Sequence, residues 1–136
     1  MGFRLLLVDD HKLTLELTKD LLEKNGYVVD TASSPEMGLR LVKERGDQYA
    51  LFILDYLMGD ENGADMAKAI LARRAEAFIA IYSNDPSREA LKHSWRSGAV
   101  EFIDKNADPN DFLVTVRRWC QKYKETYLTL PEPEHD

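Results

Sequence analysis

The stretch Ala50-Leu51-Phe52-Ile53-Leu54-Asp55 is an apolar run with no polar alternation, the pattern of a strand buried on both faces of a parallel sheet. It ends in a carboxylate. A charge there is too costly to leave inside a core, so Asp55 is expected to emerge at the carboxyl end of the strand, where open α/β sheets place their ligands. Two other stretches repeat the layout: Phe3 to Val8 runs into Asp9-Asp10, and Val100-Glu101-Phe102-Ile103-Asp104 runs into Lys105.

Working outward, Phe3 to Val8 is the first strand, and Leu13, Leu17 and Leu21 share one face of the helix that follows, which Gly26 closes. Tyr27 to Thr31 is β-rich and short, hence a second strand. Ser34-Pro35-Glu36 reads as a helix start, with Met37, Leu39, Leu41 and Val42 as its apolar residues. After Asp55, the segment from Tyr56 to Gly63 carries turn formers and acids and is expected to be a surface loop. Ala64 to Arg74 is helical, and Phe78 to Tyr82 is a fourth buried strand with Ser83 at its tip. Pro86-Ser87 opens the next helix, with Leu91 and Trp95 expected to face inward. Val100 to Ile103 is the fifth strand, and Asp108-Pro109 caps a last helix through Phe112, Val116 and Trp119 to about Tyr123. Five strands alternating with five helices predict an α/β fold with a doubly wound five-stranded parallel sheet; a flavodoxin-like (βα)5 sandwich of order 2-1-3-4-5 is one such arrangement and is the order expected here. Residues 1–124 form one domain, and 125–136 have the composition of a flexible tail or truncated linker.

Bulk properties narrow the function. The 136 residues suffice for one good core. The formal charge of −6 argues against direct nucleic-acid binding, which needs a basic face. No apolar stretch reaches membrane-spanning length and no signal peptide is evident, so a cytoplasmic setting without a membrane partner is expected. Cys120 has no internal disulfide partner, and His11, His93 and His135 show no zinc-like spacing with it.

In the order 2-1-3-4-5, strands one and three are neighbours, so Asp9, Asp10 and Asp55 converge in one crevice. Three carboxylates repel one another unless a cation sits among them. Such a hard-oxygen site suits Mg²⁺ or Mn²⁺. Ser83 and Lys105 add a hydroxyl and an ammonium from strands four and five, completing a set suited to phosphoryl transfer. Each residue also has a plainer reading. The acids suit a helix N-terminus, Ser83 suits a helix cap, Lys105 suits a solvated surface, Phe102 suits simple packing, and Trp95, Trp119 and Cys120 suit helix faces within the core.

From Phe3 to Tyr123 the chain resembles the receiver domain of two-component response regulators, with Asp9-Asp10, Asp55, Ser83 and Lys105 in the family's order, each at the end of the expected strand. The resemblance implies a signalling switch of a phosphorelay in which Asp55 accepts a phosphoryl group from a sensor histidine kinase or phosphotransfer protein. It implies Mg²⁺ held by Asp10, Asp55 and the backbone carbonyl of Leu57, with Asp9 acting through water. Lys105 would bridge to the phosphoryl group, Ser83 would swing toward it, and Phe102 would turn inward as the switch aromatic. Any catalysis would amount to self-phosphorylation from a phosphohistidine and slow autodephosphorylation. The face of helix four, strand five and helix five would meet a downstream effector, an output domain or a second copy as a homodimer.

Three positions depart from the family pattern. Gly59 replaces a usual Pro and is expected to loosen the loop holding Leu57. Asn106 replaces a Pro that usually follows a cis bond, so the Lys105 turn must change or bear a cost of roughly 2.5–4 kcal/mol. Asn84 is larger than the usual residue after Ser83, and Leu57 and Asp85 stand where acyl-phosphate lifetime is commonly tuned. Two competing functions follow. A receiver-like module that never needs phosphate is one. The other is an aspartyl-phosphate hydrolase of the haloacid-dehalogenase kind, which expects a second acid where Leu57 stands.

Overall fold

The computed structural model of the chain describes residues 2–85 and 87–128. Pro86 and the tail residues Leu130 to Asp136, to which the sequence assigned a helix start and a flexible end, lie outside the described residues. Along the chain the elements are β1 (Arg4–Val8), α1 (Lys12–Lys24), β2 (Val28–Ala32), α2 (Pro35–Arg45), β3 (Tyr49–Asp55), the two short strands β4 (Leu57–Met58) and β5 (Glu61–Asn62), α3 (Gly63–Arg73), β6 (Ile79–Ser83), α4 (Arg88–Arg96), β7 (Glu101–Asp104) and α5 (Pro109–Tyr123). The main sheet is parallel and runs β2-β1-β3-β6-β7. With the small β4-β5 pair set aside, this is the expected 2-1-3-4-5 order.

All seven residues of β3 are buried, because β3 is central in the sheet and covered by helices on both sides. Alternation along the strands splits the core into two layers. Leu6, Val8, Phe52, Leu54 and Ile81 pack against Val42 of α2 and Met66 and Ile70 of α3. Leu5, Leu7, Ile53 and Tyr82 pack against Leu15 and Leu22 of α1 and Phe112, Val116 and Cys120 of α5. The register pairs Val8 with Leu54, Asp55 with Tyr82, and Ser83 with Asp104. The polar tips of four strands therefore finish side by side at one edge.

Helix starts follow local chemistry. Ser34 accepts a hydrogen bond from Met37 N–H, Ser87 from Ala90 N–H, and Asp108 from Asn110 N–H, with Pro35 and Pro109 in the first turns. Asn62 caps α3 by accepting from Asp65 N–H.

The structure corrects several expectations. In α1 Leu15 and Leu22 are buried and Leu21, as expected, packs partly against the same layer, whereas Leu13 and Leu17 are 64% and 62% exposed. Five leucines in this helix offer two apolar stripes, and the sheet takes the i, i+7 pair. In α4 the buried residues are Ala90 and Ser94, while Leu91 and Trp95 are exposed. Ser94 can be buried because its hydroxyl donates to the Ala90 carbonyl at 2.8 Å. Met37 is likewise exposed. The expected open loop after Asp55 is instead a hairpin in which Leu57 pairs with Asn62 and Met58 with Glu61. Gly59 turns it at φ 62°, with no positive φ at Asp60, the pattern of a type II′ turn with glycine at its first central position. Gly59 thus occupies the turn position that takes a positive φ.

At the other end, a π-helical turn continues α5 over Lys124–Leu128. The Tyr127 ring packs on Phe78 and Tyr123, and its hydroxyl donates to the Glu76 carbonyl at 3.1 Å. The part of the expected flexible segment that is described, Glu125 to Leu128, thus makes specific contacts.

Gly63 begins α3 directly behind Asp55. Its N–H donates to the Tyr56 carbonyl at 2.8 Å, and a Cβ there would stand 2.4 Å from the Asp55 carbonyl oxygen, a backbone atom with little freedom to yield. Gly63→Ala is expected to destabilise the protein by about 2–3 kcal/mol, the range of overpacking in a closed interior, as read from the midpoint of urea unfolding.

Candidate functional site

Carboxylate oxygens of Asp9, Asp10 and Asp55 lie within 4.8 Å of one another. Asp9 and Asp10 follow the tip of β1, and Asp55 ends the neighbouring β3. The Lys105 ammonium comes from beyond β7, its nitrogen 3.0 Å from Asp9 Oδ2 and 3.1 Å from Asp55 Oδ1. It also stands 4.5 Å from the centre of the Tyr82 ring. All described peptide bonds are trans, and the turn that delivers the lysine is built by Asp104. The Asp104 carboxylate accepts Asn106 N–H at 2.8 Å and its carbonyl accepts Ala107 N–H at 3.1 Å, while Lys105 N–H donates to the Ser83 carbonyl at 2.9 Å. An Asx turn thus replaces the proline turn at Asn106.

Asp9 is fully buried and has three donors: His11 N–H at 2.9 Å on Oδ1, and the Tyr82 hydroxyl at 2.6 Å and Lys105 on Oδ2. Burial opposes its ionisation, but the Tyr82, His11 and Lys105 donors together outweigh burial and hold its carboxyl below the usual range. Asp55 goes the other way. Burial is the largest influence on it, Lys105 offsets only part of that, and the neighbouring Asp9 charge adds repulsion, so its pKa is pushed up to about 7. Burial and the Asp9 charge likewise push the Tyr82 hydroxyl up, keeping it a donor.

With both oxygens of Asp9 engaged, Asp10, which is exposed, and Asp55 are the carboxylates that face the cleft. The cleft measures about 220 Å³ and is lined by Asp10, Asp55, Leu57, Ser83, Asp85 and Lys105, among others. Three carboxylates against one ammonium leave hard oxygens with two excess negative charges, a set that fits a small divalent cation, and Leu57, on the hairpin strand beside Asp55, lines the same cleft. Ser83 is buried and its hydroxyl accepts Asp85 N–H at 2.9 Å. The cap of α4 is Ser87, so the plainer reading of Ser83 as that cap does not hold. Phe102 is half-buried and packs on the layer that faces α2 and α3. His11 is exposed and meets Asp9 through its backbone.

Sequence reasoning missed Tyr82, which it read as a strand residue. The available signal was its position before Ser83 on a strand adjacent to β3: alternation turns it to the α1 side, where its hydroxyl reaches Asp9.

The response regulator receiver domain family matches residues 5–117. The chain belongs to this family. RegA of Rhodobacter capsulatus, a photosynthetic apparatus regulatory protein, is 31% identical over 107 residues, 79% of this chain and 57% of RegA. ARR13 of Arabidopsis thaliana, named as a two-component response regulator, is 30% identical over 127 residues, 91% of this chain and 22% of that protein. This receiver therefore spans only part of the length of these relatives. A CheY-like receiver domain from Methanospirillum hungatei superposes with a TM-score of 0.84 at 25% identity, covering 92% of this chain and 98% of that one.

The raised pKa of Asp55 fixes a sign. A carboxyl that holds its proton more tightly when folded contributes stability below its unfolded pKa, and that contribution is lost as pH rises through about 7. Metal-free protein is expected to lose stability between about pH 4 and 7 for this reason. Asp55→Asn is expected to be more stable than wild type by about 1–3 kcal/mol at pH 8, net of the lost Lys105 pair, with the gain shrinking toward pH 5 in denaturant melts.

Proposed function

We propose that the chain is a phosphorylation-dependent switch in which Asp55 takes a phosphoryl group from the phosphohistidine of a sensor kinase or phosphotransfer protein, with residues 1–124 as the receiver unit and 125–136 as its tail. The observation that carries this reading is the arrangement around Asp55: a strand-end carboxylate facing an open cleft, one ammonium at 3.1 Å, and a second carboxylate held ionised behind it.

In the step proposed, an Asp55 oxygen attacks phosphorus, the bond from phosphorus to the donor imidazole nitrogen breaks, and an acyl phosphate forms. Asp55 must be ionised to attack. Lys105, already paired with Asp55, is placed to follow the charge onto the new phosphoryl oxygens, and the Ser83 hydroxyl is within the same cleft to donate to one of them. Asp10, Asp55 and the Leu57 carbonyl would hold Mg²⁺, which when bound supplies positive charge that favours the ionised nucleophile and the developing phosphoryl charge. Asp9 keeps its donors and contributes its field. Phe102 would serve as the switch aromatic by moving within its half-buried site. Acetyl phosphate with Mg²⁺ is expected to add one phosphoryl group to the wild type and none to Asp55→Ala, read by intact mass. Lys105→Ala is expected to accept the group yet fail to change partner binding. Uptake at another residue would remove the mechanism.

The protein phosphodonor has an apolar landing place. Leu13 and Leu17 project outward from α1, and Leu17 continues into a 350 Å³ groove with Leu21, Ile103, Pro109 and Phe112 that reaches Lys105. An amphipathic helix carrying the phosphohistidine would cover this surface while presenting its phosphorus to the cleft. Leu91 and Trp95 leave a separate outward apolar surface on α4 for an effector or a second copy. Leu17→Glu is expected to slow transfer from a phosphotransfer protein at least tenfold, as for a truncated interface anchor, and to leave labelling by acetyl phosphate unchanged.

A further inference from the structure

The acidic cleft does not account for Tyr56, His93 and Asp65. Tyr56 directly follows Asp55, and its ring packs on the core layer that faces α2 and α3. Its hydroxyl lies 3.1 Å from Nδ1 of His93 on α4, with the rings edge to face at 5.9 Å. The other ring nitrogen, Nε2, is 3.3 Å from Asp65 Oδ1 on α3. Asp65 is itself held by the Asn62 side-chain amide, which donates to Oδ2 at 3.2 Å. One neutral tautomer satisfies the whole set, with Nε2–H donating to Asp65 and the Tyr56 hydroxyl donating to Nδ1.

Among the described residues, α4 otherwise packs shallowly against α3 and β7. Of its nine residues only Ala90 and Ser94 are buried. Its first turn is tied to the cleft by a chain of hydrogen bonds: Asp85 N–H to Ser83 Oγ at 2.9 Å, Ser87 N–H to Asp85 Oδ1 at 2.9 Å, and Ala90 N–H to Ser87 Oγ at 3.1 Å. Drawing Ser83 toward a group on Asp55 pulls on that chain and so on α4. The His93 contacts resist the pull from the middle of the helix.

We propose that Tyr56, His93 and Asp65 form a latch that holds α4 where it stands in the unmodified protein and so opposes modification of Asp55. His93 and Tyr56 are positioning residues, and the proposal rests on Asp55 being the phosphoacceptor. A contact made only in the unmodified arrangement weakens the binding of anything that favours the other one, by the same factor that the ligand weakens the contact.

The test uses His93→Ala and Tyr56→Phe in the full chain. With saturating Mg²⁺, each protein, carrying Trp119→Phe so that Trp95 is the remaining tryptophan, is titrated with beryllofluoride and followed by the fluorescence of Trp95, two residues along α4 from His93. Half-saturation is expected to fall about three- to tenfold in either variant, the effect of losing one or two net hydrogen bonds. The double variant should go no further than His93→Ala, because both changes break one latch. In the absence of metal and fluoride, amide hydrogen exchange should rise over residues 88–96 and stay unchanged in β3. Faster exchange with unchanged or weaker beryllofluoride binding would overturn the latch and leave His93 a structural contact. Unchanged exchange would overturn it outright. A wild type that gives no response to beryllofluoride would fall on the proposed role of Asp55, and the coupling would fall with it.

Discussion

Lys105 stands between Asp9 and Asp55, and its one positive charge must serve two carboxylates at a point almost closed to water. The balance is uneven by construction. Asp9 also holds the Tyr82 hydroxyl and the His11 N–H, so it keeps its charge, and the deficit falls on Asp55. A proton or a divalent cation each relieves that deficit. The rest of the fold serves this imbalance: β3 lies central and buried between β1 and β6, so that its last residue meets the acids after β1 and the Lys105 side chain that reaches in from beyond β7, and Gly63 lets α3 start close behind the carbonyl of that residue.

Most of the architecture could be read from the chain because the parallel sheet writes itself as unbroken apolar runs, each ending in a polar residue. The β3 run, the β1 run into Asp9-Asp10 and the β7 run into Lys105 are of this kind, and βα alternation makes the sheet parallel, while the order of its strands is not written in the alternation. Helix starts were legible where Ser34, Ser87 and Asp108 cap a first turn. What could not be read was azimuth. Leu13 with Leu17 and Leu15 with Leu22 are equally regular stripes, and only the third dimension decides which one the sheet takes. In α4 the sequence suggests burying the largest residues, but the helix turns Ala90 and Ser94 inward and leaves Leu91 and Trp95 outside.

At the site itself, the charged residues were visible in the sequence and their supports were not. Tyr82 looks like a packing residue until strand alternation and the length of its side chain bring its hydroxyl to Asp9. The departures at Gly59 and Asn106 were visible as departures, but their effect depended on neighbours. Gly59 forms a tight hairpin because the residues on either side can pair, and Asn106 is accommodated because the preceding Asp104 offers its carboxylate to the turn.

The aromatic seat of Tyr127 settles where the backbone leaves the sandwich. Its hydroxyl reaches Glu76, ahead of β6, and Tyr123 reaches Asp47, ahead of β3, so the end of α5 is moored at the amino-terminal pole of the sheet. The acids occupy the opposite pole. The described chain therefore ends at Leu128 at the pole opposite Asp55, with the length of the sheet between them.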